Sequence, residues 1–263
     1  MSEVMSRIDP VQLEDRRVFS HQVGLEYQLT VRLPKNYTSS DQHYPVFYVL
    51  DSDLFFGVAT TLLQVLTWTN AVSEMIMVGI GYDRGMTEWL SLRERDFKIP
   101  EVQADPPDSH ADRFLAVLKQ ELIPYIDANY RTDPHERTLF GYSSAGFFAL
   151  YALANEPDLF QHYVAGSPDT DIACPYLLAH DQKLASHDSH TSVDLFLSVG
   201  ELENGVYQSS LEKHNELATA IQTRSYPGLR LIAQIYPGED HGVPGWTFTF
   251  INGIRQYYST AKP

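Results

Sequence analysis

A chain of 263 residues that is 43% hydrophobic and 12% aromatic has the material for a large buried core, which excludes disorder and fits one α/β domain. Its 34 acidic residues outweigh 19 basic ones, and a formal charge of −15 leaves no basic face for nucleic acid. The single cysteine, Cys174, permits no internal disulfide, and neither a signal peptide nor a membrane-length apolar run is present, so the expected location is cytoplasmic.

Residues 1–16 read as an N-terminal arm to a single domain spanning 1–263. From Arg17 to Leu33, alternation such as Tyr27-Gln28-Leu29-Thr30-Val31-Arg32-Leu33 predicts antiparallel strands with one wet face. Tyr44-Pro45 leads into Val46–Leu50, a continuous apolar run expected of a strand buried on both faces. Phe56 to Thr69 has helical spacing, and Met75 to Ile80 predicts a second buried strand. The charged stretch between Gly81 and Pro107 reads as a long irregular segment. Ala111 to Asn129 predicts an amphipathic helix that Pro124 should kink or divide. Strands follow at Arg137–Phe140, His162–Gly166, Val193–Val199 and Leu229–Tyr236. Helices are expected at Ala145–Asn155, from about Tyr207 to Thr223, and from Trp246 onward. Such alternation means a mostly parallel sheet with antiparallel N-terminal strands and helices on both faces.

The chemistry concentrates at the carboxyl ends of the predicted strands, where such sheets bind ligands. Thr138 to Phe148 has the form of a nucleophile elbow, a strained strand-to-helix turn that holds a serine at its tip. Residues two before and two after the nucleophile must be small. Ser143 has Gly141 and Ala145 there, whereas Ser144 would have Tyr142, so Ser143 is the expected nucleophile. A helix-capping serine is the plainer alternative. Glu201 and Glu203 follow the next strand but one, and His241 follows the last. That order, serine then acid then histidine, is the α/β-hydrolase order. Imidazole can take the serine proton near neutral pH, and a carboxylate fixes its tautomer. His180, Asp181, His187, Asp188 and His190 fit no single helix or strand face, so they read as a solvated loop and no metal is expected.

With these residues stands a set of ordered phrases: Tyr44 to Asp51, Arg95-Asp96-Phe97 with Pro100, Glu121 to Ile126, Tyr130-Arg131-Thr132, Gly141 to Gly146, Ser167-Pro168, Val199 to Glu203, and Gly238 to His241. In these the chain resembles the esterase family of α/β-hydrolases, which includes esterase D, the enterobactin and bacillibactin esterases and the mycolyltransferases, with the siderophore-esterase branch most similar. The resemblance implies an α/β-hydrolase fold, a small-molecule ester substrate, no membrane partner and no cofactor. It implies Glu203 rather than Glu201 as the acid. The implied mechanism is acyl transfer to water through Ser143, with the oxyanion held by backbone N–H groups of Ser144 and Asp53. Two departures stand out: Ala145 where the family has glycine, and Ser52 where a glycine would relieve backbone strain. An acyltransferase sharing the acyl-enzyme, and an inactive binding protein on this fold, are the alternatives. Arg93 and Arg95 either pair with Glu88, Glu94 or Asp96 in a solvated loop or hold an anionic part of the substrate.

Overall fold

The computed structural model describes residues 11–99, 110–186, 192–206 and 209–260. Its eight strands are β1 (Leu13–Ser20), β2 (Leu25–Arg32), β3 (Tyr44–Val49), β4 (Ile76–Gly81), β5 (Thr132–Tyr142), β6 (His162–Gly166), β7 (Val193–Gly200) and β8 (Leu229–Tyr236). They form one sheet in the order β1-β2-β4-β3-β5-β6-β7-β8. The β1–β2 and β2–β4 pairs are antiparallel, with Leu13 opposite Arg32 and Val31 opposite Val78. Every pair from β4 to β8 is parallel. The helices are α1 (Ser52–Trp68), α2 (Met86–Phe97), α3 (His110–Val117), α4 (Ile123–Asn129), α5 (Ser144–Asn155), α6 (Thr170–Ala179), α7 (Gln182–Ala185), α8 (Leu211–Arg224) and α9 (Val243–Tyr258). This is the α/β-hydrolase architecture that the sequence implies.

The central strands read as unbroken apolar runs because both of their faces are covered. Successive residues feed two cores. Phe47, Val49, Phe140 and Val164 meet Phe56 and Leu63 of α1 and Trp246 and Phe250 of α9. Val46, Tyr48, Leu139 and Tyr163 join a core that contains Phe114, Leu118 and Phe148.

Four local differences from the sequence reading have physical causes. The segment after β4 is not irregular: α2 occupies Met86–Phe97. Its charges hide the pattern, for Trp89, Arg93 and Phe97 recur at four-residue spacing and the two rings are buried. The first strand starts at Leu13, inside the expected arm, because pairing with β2 extends that far. Helix α1 starts at Ser52, directly after β3 rather than at Phe56, and α9 starts at Val243 rather than Trp246. The division expected at Pro124 is present: the proline stands at the first turn of α4, and a π turn, Leu118–Leu122, precedes it. Pro100 of the Arg95-Asp96-Phe97 phrase, and His187, Asp188 and His190, lie outside the described residues.

Candidate active site

β5 turns into α5 at Ser143, whose φ of 60° and ψ of −127° no non-glycine residue adopts freely. Strain of this kind costs on the order of 1–3 kcal/mol and persists only where packing imposes it. Here the Ser143 N–H is tied to the Gly166 carbonyl at 2.9 Å. A Cβ on Gly141 would lie 2.0 Å from the Ala145 carbonyl oxygen, so the strand and helix cross at a point that only glycine allows. The Ala145 methyl group, by contrast, is fully buried without displacing the turn. The two serines then part ways. Ser143 is partly exposed, whereas Ser144 is buried and donates its hydroxyl to Asp169 Oδ2 at 2.9 Å.

β6 and β7 bring the acid to the histidine. Glu203 is 4% exposed, and its Oε2 faces His241 Nδ1 at 3.0 Å. Its Oε1 accepts from the Ser167 hydroxyl at 2.6 Å and from the Gly200 N–H at 2.9 Å. Burial pushes the carboxyl pKa upward, but the hydrogen bonds from His241, Ser167 and Gly200 together outweigh it and leave the group below the usual carboxylate range. An ionised Glu203 can only accept, so the hydrogen in that bond belongs to His241 Nδ1. Glu201, the competing candidate, is exposed and accepts from the Gly238 N–H at 2.8 Å, closing the β8 turn rather than meeting His241. The His241 ring packs on Tyr142, the residue before Ser143, with ring centres 5.2 Å apart. The Tyr142 hydroxyl accepts from the Gly242 N–H at 3.3 Å. Ser143, Glu203 and His241 follow the carboxyl ends of β5, β7 and β8, and the last two are in hydrogen-bond contact.

The second turn of the site joins β3 to α1. Asp51 lies in the left-handed region, with φ 55° and ψ 38°, and its carbonyl accepts from Leu54 and Phe55 N–H groups at 3.2 and 3.3 Å. The strain therefore sits one residue before Ser52, which already belongs to the helix and has no need to be glycine. Room for Ser52 and Asp53 comes from the neighbouring strand. A Cβ on Gly79 would meet Ser52 Cβ at 2.7 Å, and one on Gly81 would meet Asp53 Oδ2 at 2.3 Å. The Asp53 carboxylate accepts from the Tyr82 and Asp83 N–H groups, at 2.9 and 2.7 Å at the closest, which fixes the first turn of α1. The N–H groups of that turn and of Ser144 stand at helix N-termini, which attract negative charge.

Both arginines have carboxylate partners, unlike the open cationic spot that an anion-holding pair requires. Arg93 Nε donates to Asp51 Oδ1 and Oδ2 at 2.8 and 2.9 Å, and its Nη2 reaches the Tyr142 carbonyl at 3.5 Å. Arg95 turns to Asp96, with contacts at 2.7 and 2.8 Å, and to the Tyr27 hydroxyl at 3.2 Å. Asp96 is 1% exposed and also accepts from the Tyr82 hydroxyl, so Arg95 belongs to a buried network beneath α2. The sequence reading places Asp51 and Ser167 in family phrases without giving them a role and passes over Asp169, because a serine or aspartate beside a turn carries no periodic signal. Among the described residues no three His, Cys, Asp or Glu side chains converge as a metal ion would require. His180 stacks on Tyr176, and Asp181 pairs with Arg224.

Known proteins similar to this chain match it along most of its length. The model of the family described as "Putative esterase" matches residues 20–257. The chain is 30% identical over 213 residues to the ferri-bacillibactin esterase BesA of Bacillus subtilis, covering 75% of this chain and 73% of that one. The crystal structure of the BES protein from Bacillus cereus superposes with a TM-score of 0.80 at 27% identity, over 99% and 98% of the two chains. The siderophore hydrolase EstA from Aspergillus nidulans shares the fold, with a TM-score of 0.78 at 21% identity over 97% and 99%. No helix among the described residues is long and apolar enough to cross a membrane.

Proposed function

The chain belongs to this esterase family and is a carboxylic ester hydrolase, and from that premise we propose that it cleaves its ester through an acyl-enzyme on Ser143. His241 Nε2 takes the serine proton as the hydroxyl attacks the ester carbonyl, then gives it to the departing alkoxide. Glu203 holds the imidazole in the required tautomer and stabilises its cationic form. The tetrahedral oxyanion is received by the N–H groups of Ser144 and Asp53. Water then attacks the acyl-enzyme with His241 again as base, which releases the acid and restores Ser143. The observation that carries this reading is the buried Glu203 carboxyl against His241 Nδ1 at 3.0 Å, together with a serine held in a strained elbow. The relatives named above support siderophore-type esters as the substrate class.

The test is labelling with a fluorophosphonate probe, together with hydrolysis of p-nitrophenyl esters and a catecholate trilactone. Wild-type protein should label and Ser143→Ala should not. Labelling that persists in Ser143→Ala would move the nucleophile elsewhere. Hydrolysis of simple esters with the trilactone left intact would remove the siderophore assignment and keep the mechanism.

A further inference from the structure

One guanidinium joins the two turns on which the proposed oxyanion donors stand. Arg93 is 13% exposed at its side chain and Asp51 is 6% exposed, so the pair between them is shielded from water. Asp51 is the left-handed residue immediately before the first turn of α1, and both of its carboxylate oxygens accept from Arg93 Nε. The same guanidinium reaches the carbonyl of Tyr142, the residue before Ser143. The Trp89 and Phe97 rings lie one helical turn to either side of Arg93 on α2, with ring centres 5.5 and 5.6 Å from its Cζ, and fix it by cation–π contact. Burial raises the Asp51 carboxyl pKa above the ordinary carboxylate value, Asp53 adds to the rise, and Arg93 opposes it without cancelling it.

We infer that Arg93 is a positioning residue: through Asp51 and the Tyr142 carbonyl it sets the spacing between the β3–α1 turn and the serine elbow, and so between the two oxyanion donors. The inference rests on the acyl-enzyme reading above. The β3–α1 and β5–α5 turns are far apart in sequence, and the β3–β5 pairing ends with the Leu50 N–H on the Phe140 carbonyl, short of Asp51 and Ser143. Oxyanion stabilisation requires donors fixed before the charge develops. A planar guanidinium can reach both turns at once, whereas an ammonium is a single point.

The experiment measures kcat and KM of Arg93→Ala and Arg93→Lys on p-nitrophenyl acetate, which is neutral, and on a p-nitrophenyl ester bearing a carboxylate. Arg93→Ala should lose about 10²-fold in kcat on both esters, with KM within about threefold of wild type, as expected for lost oxyanion stabilisation. Arg93→Lys should fall between the two. Guanidinium chloride at low concentration should restore kcat of Arg93→Ala several-fold above the same concentration of sodium chloride, which a general loosening of the fold would not allow. A kcat within about twofold of wild type, or a KM increase confined to the carboxylate ester, overturns the inference. If Arg93→Ala does not fold, Asp51→Asn, which keeps the buried shape and removes the charge, is judged by the same kcat criterion. Ser143→Ala is assayed beside them. Activity there would overturn the acyl-enzyme reading whatever Arg93 does, whereas an inactive Ser143→Ala with normal kcat in Arg93→Ala overturns the brace alone.

Discussion

The residues around His241 divide the labour in a way that substitution can read out. Ser143→Ala and His241→Ala should each abolish hydrolysis, with losses on the order of 10⁶ in kcat as for the equivalent residues of subtilisin, and unchanged circular dichroism. Glu203→Gln removes the charge and one acceptor from a group that His241, Ser167 and Gly200 all address. It should lower kcat by about 10⁴-fold with little change in KM. Glu201→Gln keeps an acceptor for the Gly238 N–H and should leave kcat within a factor of about two to three. Steady-state kinetics on one p-nitrophenyl ester separates these outcomes, and equal losses in the two glutamine variants would refute the assignment of the acid.

At the scale of elements, the site depends on strands that make room for turns. β4 carries Gly79 and Gly81 on one face because Ser52, Phe56 and Asp53 of α1 press against it. Gly81→Ala would drive a methyl group to within 2.3 Å of Asp53 Oδ2 and 2.5 Å of Ser52 Oγ. Overpacking of this kind costs about 1–3 kcal/mol, and here it would also displace the Asp53 N–H. Gly81→Ala should therefore lower kcat at least about tenfold, whereas Gly85→Ala, which meets nothing within 4 Å, should not. Urea unfolding alongside kinetics would check both parts, and normal kcat in Gly81→Ala would show that the α1 turn takes no part in catalysis. Helix α2 matters in the same way. It carries Arg93 to one turn and Arg95 to the Tyr27–Asp96 network, which an irregular segment could not do reproducibly.

Over the whole molecule, the parallel sheet collects its loops at one edge and leaves buried titratable groups behind them. His214 of α8 is 1% exposed, and neither ring nitrogen has a hydrogen-bond partner among the described residues. Burial lowers its pKa to about 4, with Glu203 pulling in the opposite sense. An unfolded histidine takes up its proton near pH 6.5, while the folded one resists until about 4. The contribution is therefore complete above pH 6.5 and is lost as pH falls toward 4, by about 2–3 kcal/mol at pH 4.5. His214→Leu should remove that loss. Urea unfolding at pH 7.5 and 4.5 should show the variant losing less stability than wild type over the interval. Parallel losses in the two proteins would contradict a buried neutral His214.

What the amino-acid sequence determined is what depends on short-range pattern. Apolar runs mark the buried strands, and β6 and β8 have the bounds that the runs predict, His162–Gly166 and Leu229–Tyr236. The small residues around Ser143 mark the elbow, because the steric demand there is local and lies within five residues. Family resemblance then supplied the fold and the ester hydrolase activity. What tertiary structure decided depends on groups remote in sequence. Spacing alone leaves Glu203 and Glu201 open and resemblance favours Glu203, but the positions of Ser167, Gly200 and His241 show that it is Glu203 that meets the imidazole. Ser52 looks like a strained replacement for glycine until Gly79 and Gly81 are seen to supply the space it needs. Arg93 reads as one charge among many in a hydrophilic stretch. Its partners, Asp51 and the Tyr142 carbonyl, lie 42 and 49 residues away along the chain, and spacing along a sequence carries no record of contacts made by packing across a sheet.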